Sequence, residues 1–126
     1  MTTTSTITSV RTIGVAVSDQ DAALGFYIDT VGFDLVMDAL IGDAMRWIEV
    51  APADARVSLA LTQGERSADE IDTGIRFTVP DASKERAEMA ARGVAVGDLI
   101  QWEGVPAMFT FEDPDGNRFY VVEDRP

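Results

Sequence analysis

The sequence predicts an α+β protein: two paired βαβββ modules forming a concave mixed sheet with helices on the outer face. Three observations predict it. Each half of the chain reads strand, helix, then three strands. Matched positions in the two halves differ by a constant 62 residues. A turn motif, Asp113-Pro114-Asp115-Gly116, joins the last two strands.

A chain of 126 residues makes a single domain with room for a real core. An apolar fraction of 46% and a charged fraction of 25% are those of an ordinary folded protein. No apolar run is long enough for a membrane span. The opening MTTTSTIT has neither the basic start nor the apolar stretch of a signal peptide. Without cysteine, disulfides and thiolate chemistry are excluded, which fits the cytoplasmic location expected. Without histidine, the usual general base near neutral pH and the commonest ligand for zinc, iron or nickel are absent. A formal charge of −12 opposes binding to a nucleic-acid backbone. Solubility accounts for that charge, and so does a negative potential that attracts cationic ligands.

Residues 10–17 alternate, with Ile13, Val15 and Val17 on one face and Thr12, Gly14 and Ala16 on the other, as in a half-buried strand. Ser18 can cap a helix whose positive end suits Asp19 and Asp21. Leu24, Tyr27, Ile28 and Val31 then recur at helical spacing, and Gly32 stops the helix. Strands are expected over 33–40, 45–50 and 57–61, with turns at Gly42-Asp43 and Pro52 to Ala55. Residues 62–72 are polar and acidic and read as a surface linker between module one (10–61) and module two (73–123). In the second module Ile75, Phe77 and Val79 alternate with Gly74, Arg76 and Thr78. Asp81 caps a helix running to about Arg92, and Gly93 stops it. Strands are expected near 94–102 and 107–112, and the Asp-Pro-Asp-Gly hairpin leads into a last strand, 118–123. The repeat shows by subtraction: Ile13 and Ile75, Val17 and Val79, Asp19 and Asp81, Pro52 and Pro114, Leu59 and Val121 all differ by 62.

Helices bury an apolar stripe, so the more apolar strand face is the helix side. That assigns Ile13, Val15, Val17, Val57, Leu59, Leu61, Ile75, Phe77, Val79, Phe119 and Val121 to the core. The opposite face collects Thr12, Gly14, Ala16, Met45, Trp47, Glu49, Ser58 and Ala60 from module one. From module two it collects Arg76, Thr78, Met108, Thr110, Glu112 and Tyr120. Small residues beside large aromatic and polar ones suit a concave ligand surface.

The paired modules, the opening TIGVAVSDQDAALGFYIDTVGF and the DPDGN hairpin resemble the vicinal oxygen chelate superfamily over about residues 10–123. That superfamily includes glyoxalase I, extradiol dioxygenases, fosfomycin-modifying enzymes and bleomycin-resistance-type binding proteins. In its metal-using members the resemblance implies ligands on the first and last strands of each module. Those positions fall on Thr12, Gly74, Ser58 and Tyr120, none a good metal ligand. The chain departs from the catalytic pattern at every one, so no metal, cofactor or catalytic residue is expected. Glu49 and Glu112 are hard-cation donors by type, but they lack a convergent third ligand.

Trp47 and Tyr120 can stack on a flat ligand, or Trp47 can fill the sheet interface. Met45 and Met108 suit an adaptable lining or ordinary packing. Trp102 belongs to a pocket rim or a dimer contact. Arg76 can hold a ligand carbonyl or carboxylate, or neutralise Glu49 or Glu112. The expected function is metal-independent binding of a small hydrophobic or aromatic molecule through Met45, Trp47, Glu49, Ser58, Arg76, Trp102, Met108, Glu112 and Tyr120. The resemblance implies antibiotic sequestration by a homodimer, with ligand in clefts at the subunit interface. Two alternatives are a lyase, isomerase or dioxygenase-like enzyme of the same fold and a dimeric protein-interaction module.

Overall fold

The computed structural model describes residues 2–64 and 71–124. In chain order the elements are β1 (Thr12–Val17), α1 (Gln20–Leu24) running into a π-helical stretch (Gly25–Val31), β2 (Asp34–Ile41), β3 (Met45–Ala51) and β4 (Ser58–Gln63). There follow β5 (Ile71–Val79), α2 (Ala82–Ala91), β6 (Ala95–Val96), β7 (Met108–Glu112) and β8 (Asn117–Glu123). Thr62 and Gln63 extend β4, and Ile71 and Asp72 open β5. The middle of the expected linker, residues 65–70, lies outside the described residues.

The strands form two four-stranded mixed sheets in the orders β1-β4-β3-β2 and β5-β8-β7-β6. The first and last strands of each set run parallel, β1 beside β4 and β5 beside β8. The other neighbours are antiparallel.

Both helices start on an aspartate of the repeat. Asp19, in extended backbone, accepts from the Ala22 amide at 3.1 Å, and Asp81 does the same for Lys84 at 3.1 Å. The cap is therefore Asp19 and not Ser18, the residue expected to cap. Ser18 turns to the other module, where its hydroxyl and amide donate to Asp115 at 2.6 and 3.2 Å. Gly32 and Gly93 close the helices with φ of +92° and +88°.

The alternation in the sequence becomes the core. Val15, Val17, Leu59, Leu61, Phe119 and Val121 are buried, and Ile13, Ile75, Phe77 and Val79 pack against them half-buried. Val57 is the exception: it precedes β4 and is exposed. Side chains of this size contribute roughly 1.5–3 kcal/mol each when fully buried.

Aromatic rings carry this core across the two modules. Tyr27 lies 6.1 Å from Phe119, and Phe33 lies 5.3 Å from Phe77, centroid to centroid. The helix-side faces of both sheets thus meet in one cluster, and their opposite faces point outward.

The DPDGN hairpin fastens this junction. Its turn closes through the Gly116 amide on the Asp113 carbonyl at 3.0 Å, with Gly116 at φ +82°. The buried Asp113 carboxylate accepts from the Tyr27 hydroxyl at 2.7 Å and from the Asn117 side-chain amide at 2.8 Å. The amides of Asp115 and Asn117 reach its other oxygen at 2.9 Å each. Asn117 also donates to the Ala16 carbonyl at 2.9 Å.

The strand expected near 94–102 shrinks to the two residues of β6 and a single bridge between Ile100 and Met108. Gly97 and Asp98 interrupt it: the Gly97 carbonyl is taken by the Arg86 guanidinium at 2.6 Å. Trp102 falls in a loop that turns at Gly104, φ +78°.

Candidate functional site

On the first sheet, strand pairing sets the outer face row by row. Met37 stands opposite Glu49, Ala39 opposite Trp47 and Ile41 opposite Met45. Glu49 is opposite Ala60, which is opposite Gly14, and Thr12 is opposite Ser58. Directly paired residues share a face. The result is a floor of Gly14 and Ala60 beside a wall of Met37, Ile41, Met45 and Trp47. Met45, Trp47, Glu49 and Ser58 are thus together, as the alternation predicts. Met37, Ala39 and Ile41 are additions to them.

Glu49 is 3% exposed. Its carboxylate accepts from the Ser58 hydroxyl at 2.5 Å, the Trp47 indole N–H at 2.7 Å and, more weakly, the Thr12 hydroxyl at 3.4 Å. Arg11 lies 3.6 Å away with its side chain largely in solvent. The Ser58 bond, then the Trp47 bond, hold the carboxyl below the usual carboxylate range, with Arg11 and Thr12 adding to them and burial opposing. Trp47 and Glu49 meet because residues two apart on a strand point the same way.

On the second sheet a bulge changes the pairing. Ile71 and Asp72 face Asn117 and Arg118, but the next pair is Arg76 with Tyr120. Gly74, at φ +69°, sits in this bulge. The slip is by two residues, so each side chain keeps its face. Arg76, rather than Gly74, is therefore the residue across from Tyr120, as Thr12 is across from Ser58.

The Arg76 guanidinium carbon lies 4.6 Å from the centre of the Tyr120 ring, and its Nη1 donates to the Gly74 carbonyl at 3.0 Å. The expected pairing of Arg76 with Glu49 or Glu112 does not form, because Arg11 and Arg118 stand closer to those carboxylates. Arg118 meets Glu112 at 3.3 Å. The Tyr120 hydroxyl donates to Asp72 at 2.6 Å. That bond, and after it the Gly74 amide, lowers the Asp72 carboxyl, and the same bond with burial raises the Tyr120 phenol. Tyr120 thus stays protonated at neutral pH and serves as a donor and a ring. A cavity of about 340 Å³ is lined here by Val96, Gly97, Thr110, Glu112, Arg118 and Tyr120. Met108 is half-buried on β7, on the same side as Thr110.

The two groups occupy outward faces of different sheets, so one protomer does not bring Trp47 and Glu49 together with Arg76 and Tyr120. Trp102 joins neither. It is 68% exposed beside a separate cavity of about 400 Å³ with Gln101, Val105 and Pro106. A larger cavity of about 840 Å³ opens where the modules meet, lined by Ile13, Leu59, Ile75 and Phe77 with Thr73 and Arg76. Sequence reasoning missed it because four of those residues carry the core pattern.

The residues at the four metal positions do not fit a divalent cation. The hydroxyls of Thr12 and Ser58 are turned to Glu49, and in the second module a guanidinium lies over the Tyr120 ring. Among the described residues no three His, Cys, Asp or Glu side chains converge. No helix among them is long and apolar enough to cross a membrane.

Twinned βαβββ sheets that share an inner core and expose a polar-aromatic outer face define a glyoxalase-fold protein. The chain belongs to the Glyoxalase/Bleomycin resistance protein/Dioxygenase superfamily, whose model matches residues 9–121. It is 31% identical over 120 residues to the uncharacterized protein YetH of Bacillus subtilis (strain 168), covering 93% of this chain and 99% of that one. Among solved structures it is similar to a superfamily member from Sphaerobacter thermophilus DSM 20745, with 31% identity, a TM-score of 0.86 and coverage of 94% and 98%. It is also similar to TnmS3, an antibiotic binding protein from Streptomyces sp. CB03234, with 32% identity, a TM-score of 0.84 and coverage of 97% and 100%.

Proposed function

We propose that this protein binds a small, largely hydrophobic or aromatic molecule on its concave faces without a metal, and acts by sequestering it. The observation that carries the reading is the Trp47 indole held beside a floor of Gly14 and Ala60. A hydrogen-bonded indole flanked by small residues, of which Gly14 is exposed, offers a flat ligand a ring to stack on. Sequestration needs only affinity and abundance, so the departure from the metal-ligand pattern costs it nothing. The likeness to TnmS3 supports a natural-product antibiotic as the ligand class.

A cytoplasmic homodimer is part of the same reading. The Trp47 face and the Tyr120 face of one protomer point apart, and a second copy supplies the missing half of a cleft. Leu35, Val36, Leu40 and Ile41 of β2 and Trp102 of the loop after β6 are exposed large apolar side chains available for that contact.

Fluorescence titration against a panel of polycyclic aromatic antibiotics tests the reading. Trp47→Ala and Tyr120→Ala should each weaken binding, by roughly two- to twelvefold from the ring contact alone, with far-UV circular dichroism unchanged. Unchanged affinity in both variants removes these faces from the site. Stoichiometric zinc, iron, nickel or manganese surviving dialysis of the purified protein overturns the metal-free reading.

A further inference from the structure

We infer that Glu49 is the positioning residue of the first sheet's outer face. Its buried carboxylate lies against Thr12 and Ser58, two of the four positions that the family resemblance assigns to metal ligands, and there it anchors the Trp47 indole. The face so built takes planar ligands that bring no anion to it. This deepens the binding reading and rests on it.

A carboxylate that is 3% exposed on the outer face of a sheet calls for a reason, because burying a charge is costly unless donors surround it. Here the donors come from the face itself. Ser58 on β4, Thr12 on β1 and Trp47 on β3 all turn toward Glu49. Its one cationic neighbour among these contacts, Arg11, is 3.6 Å away and mostly in solvent.

Two consequences follow from where those hydrogen bonds go. The Ser58 and Thr12 hydroxyls and the indole N–H are engaged with Glu49, so what the face offers a ligand is the π surface of Trp47 and the small floor beside it. The indole has two side-chain torsions, and a 2.7 Å bond at its N–H fixes the plane they define. Around it Met37, Ile41 and Met45 are apolar and two of the three are methionines, which adapt to a ligand outline. The carboxylate beneath repels an anion placed on that surface, and an exposed arginine screens it only in part.

For the fluorescence arm the full chain carries Trp102→Phe, which leaves Trp47 as the sole tryptophan. Acrylamide quenching and the emission maximum of Trp47 are measured there for Glu49, Glu49→Gln and Glu49→Leu. Binding of three flat three-ring probes is measured by equilibrium dialysis on the same Glu49 series with Trp102 intact: acridone (neutral), 9-aminoacridine (cationic) and 9-anthracenecarboxylate (anionic).

With Glu49 in place, acridone and 9-aminoacridine should bind at least tenfold more tightly than the carboxylate. Glu49→Leu should at least double the Trp47 quenching constant and weaken acridone binding at least fivefold. Glu49→Gln keeps an acceptor oxygen, so it should restore the quenching constant and most acridone affinity while erasing the discrimination against the anion. Should Glu49→Leu not fold, the Gln variant decides: continued tenfold rejection of the anion refutes the selection. An unchanged quenching constant in a folded Leu variant refutes the positioning role even where acridone still binds, and leaves the sequestration reading standing. Failure of all three probes to bind counts against the ligand reading and the selection together, and the quenching comparison still decides what Glu49 does to Trp47.

Discussion

Glu49 on β3 and Asp72 on β5 are both carboxylates bonded to an aromatic side chain on an outward sheet face, Trp47 at 2.7 Å and Tyr120 at 2.6 Å. Glu49 sits mid-sheet, with Met37 and Ala60 as its strand neighbours, and is nearly enclosed. Asp72 stands at the exposed start of β5, just before the bulge. Both modules share a capping aspartate and a turn-then-strand ending, so like scaffolds carry unlike faces. The difference teaches that position in the sheet, more than residue type, decides whether a polar contact organises a surface or decorates it.

The largest effect expected from breaking this contrast is at Glu49. Replacing it with leucine leaves buried donors unpaired and should lower unfolding free energy by about 2–3 kcal/mol in urea titrations. The pH dependence has a definite sign. The folded carboxyl is lowered, so its contribution is fully present above the unfolded value, about 4.3, and is lost as pH falls through the folded value. The stability gap between the parent protein and Glu49→Gln should therefore be flat from pH 7 to 5 and narrow below about pH 4.3. A gap that widens on acidification would contradict the hydrogen-bond assignment.

A smaller effect is expected at the bulge that sets the second face. A Cβ on Gly74 would meet nothing within 4 Å, yet φ there is +69°. Gly74→Ala should thus cost about 1–2 kcal/mol from backbone conformation alone, and any lesser cost would mean the bulge relaxes. Smallest of all is Asp72→Asn. It should leave the melting temperature where it is, because the pair is solvated. It should also bring the Tyr120 phenol back toward its ordinary value near 10, read from absorbance at 295 nm. A Tyr120 titration that does not move would show the bond to Asp72 is not maintained in solution.

The fold was legible because its signals are local. Alternating apolar residues on β1, β4 and β8 survive as buried rows, and the repeat offset finds Asp19 and Asp81, the two true caps. Less of the site was legible, since register is a property of two strands at once. The offset of 62 points to Gly74 as the counterpart of Thr12, and only the two-residue slip in β5 brings Arg76 there. The irregularity between Leu35 and Met37 likewise hides which face of β2 is outward, so Met37, Ala39 and Ile41 escape a reading by parity. Trp102 had an apolar identity but no periodic neighbours to place it.

The hairpin clasp has a consequence for how the chain is made. Asp113 reaches back 86 residues to Tyr27, and Asn117 reaches back 101 to the end of β1. A ribosome delivers the first module before Asp113 or Asn117 exists, so Tyr27 is made before the carboxylate it bonds and the Phe119 ring it packs on. Contacts this distant along the chain are slow to close. The core of the first module is therefore completed by a hairpin of the second.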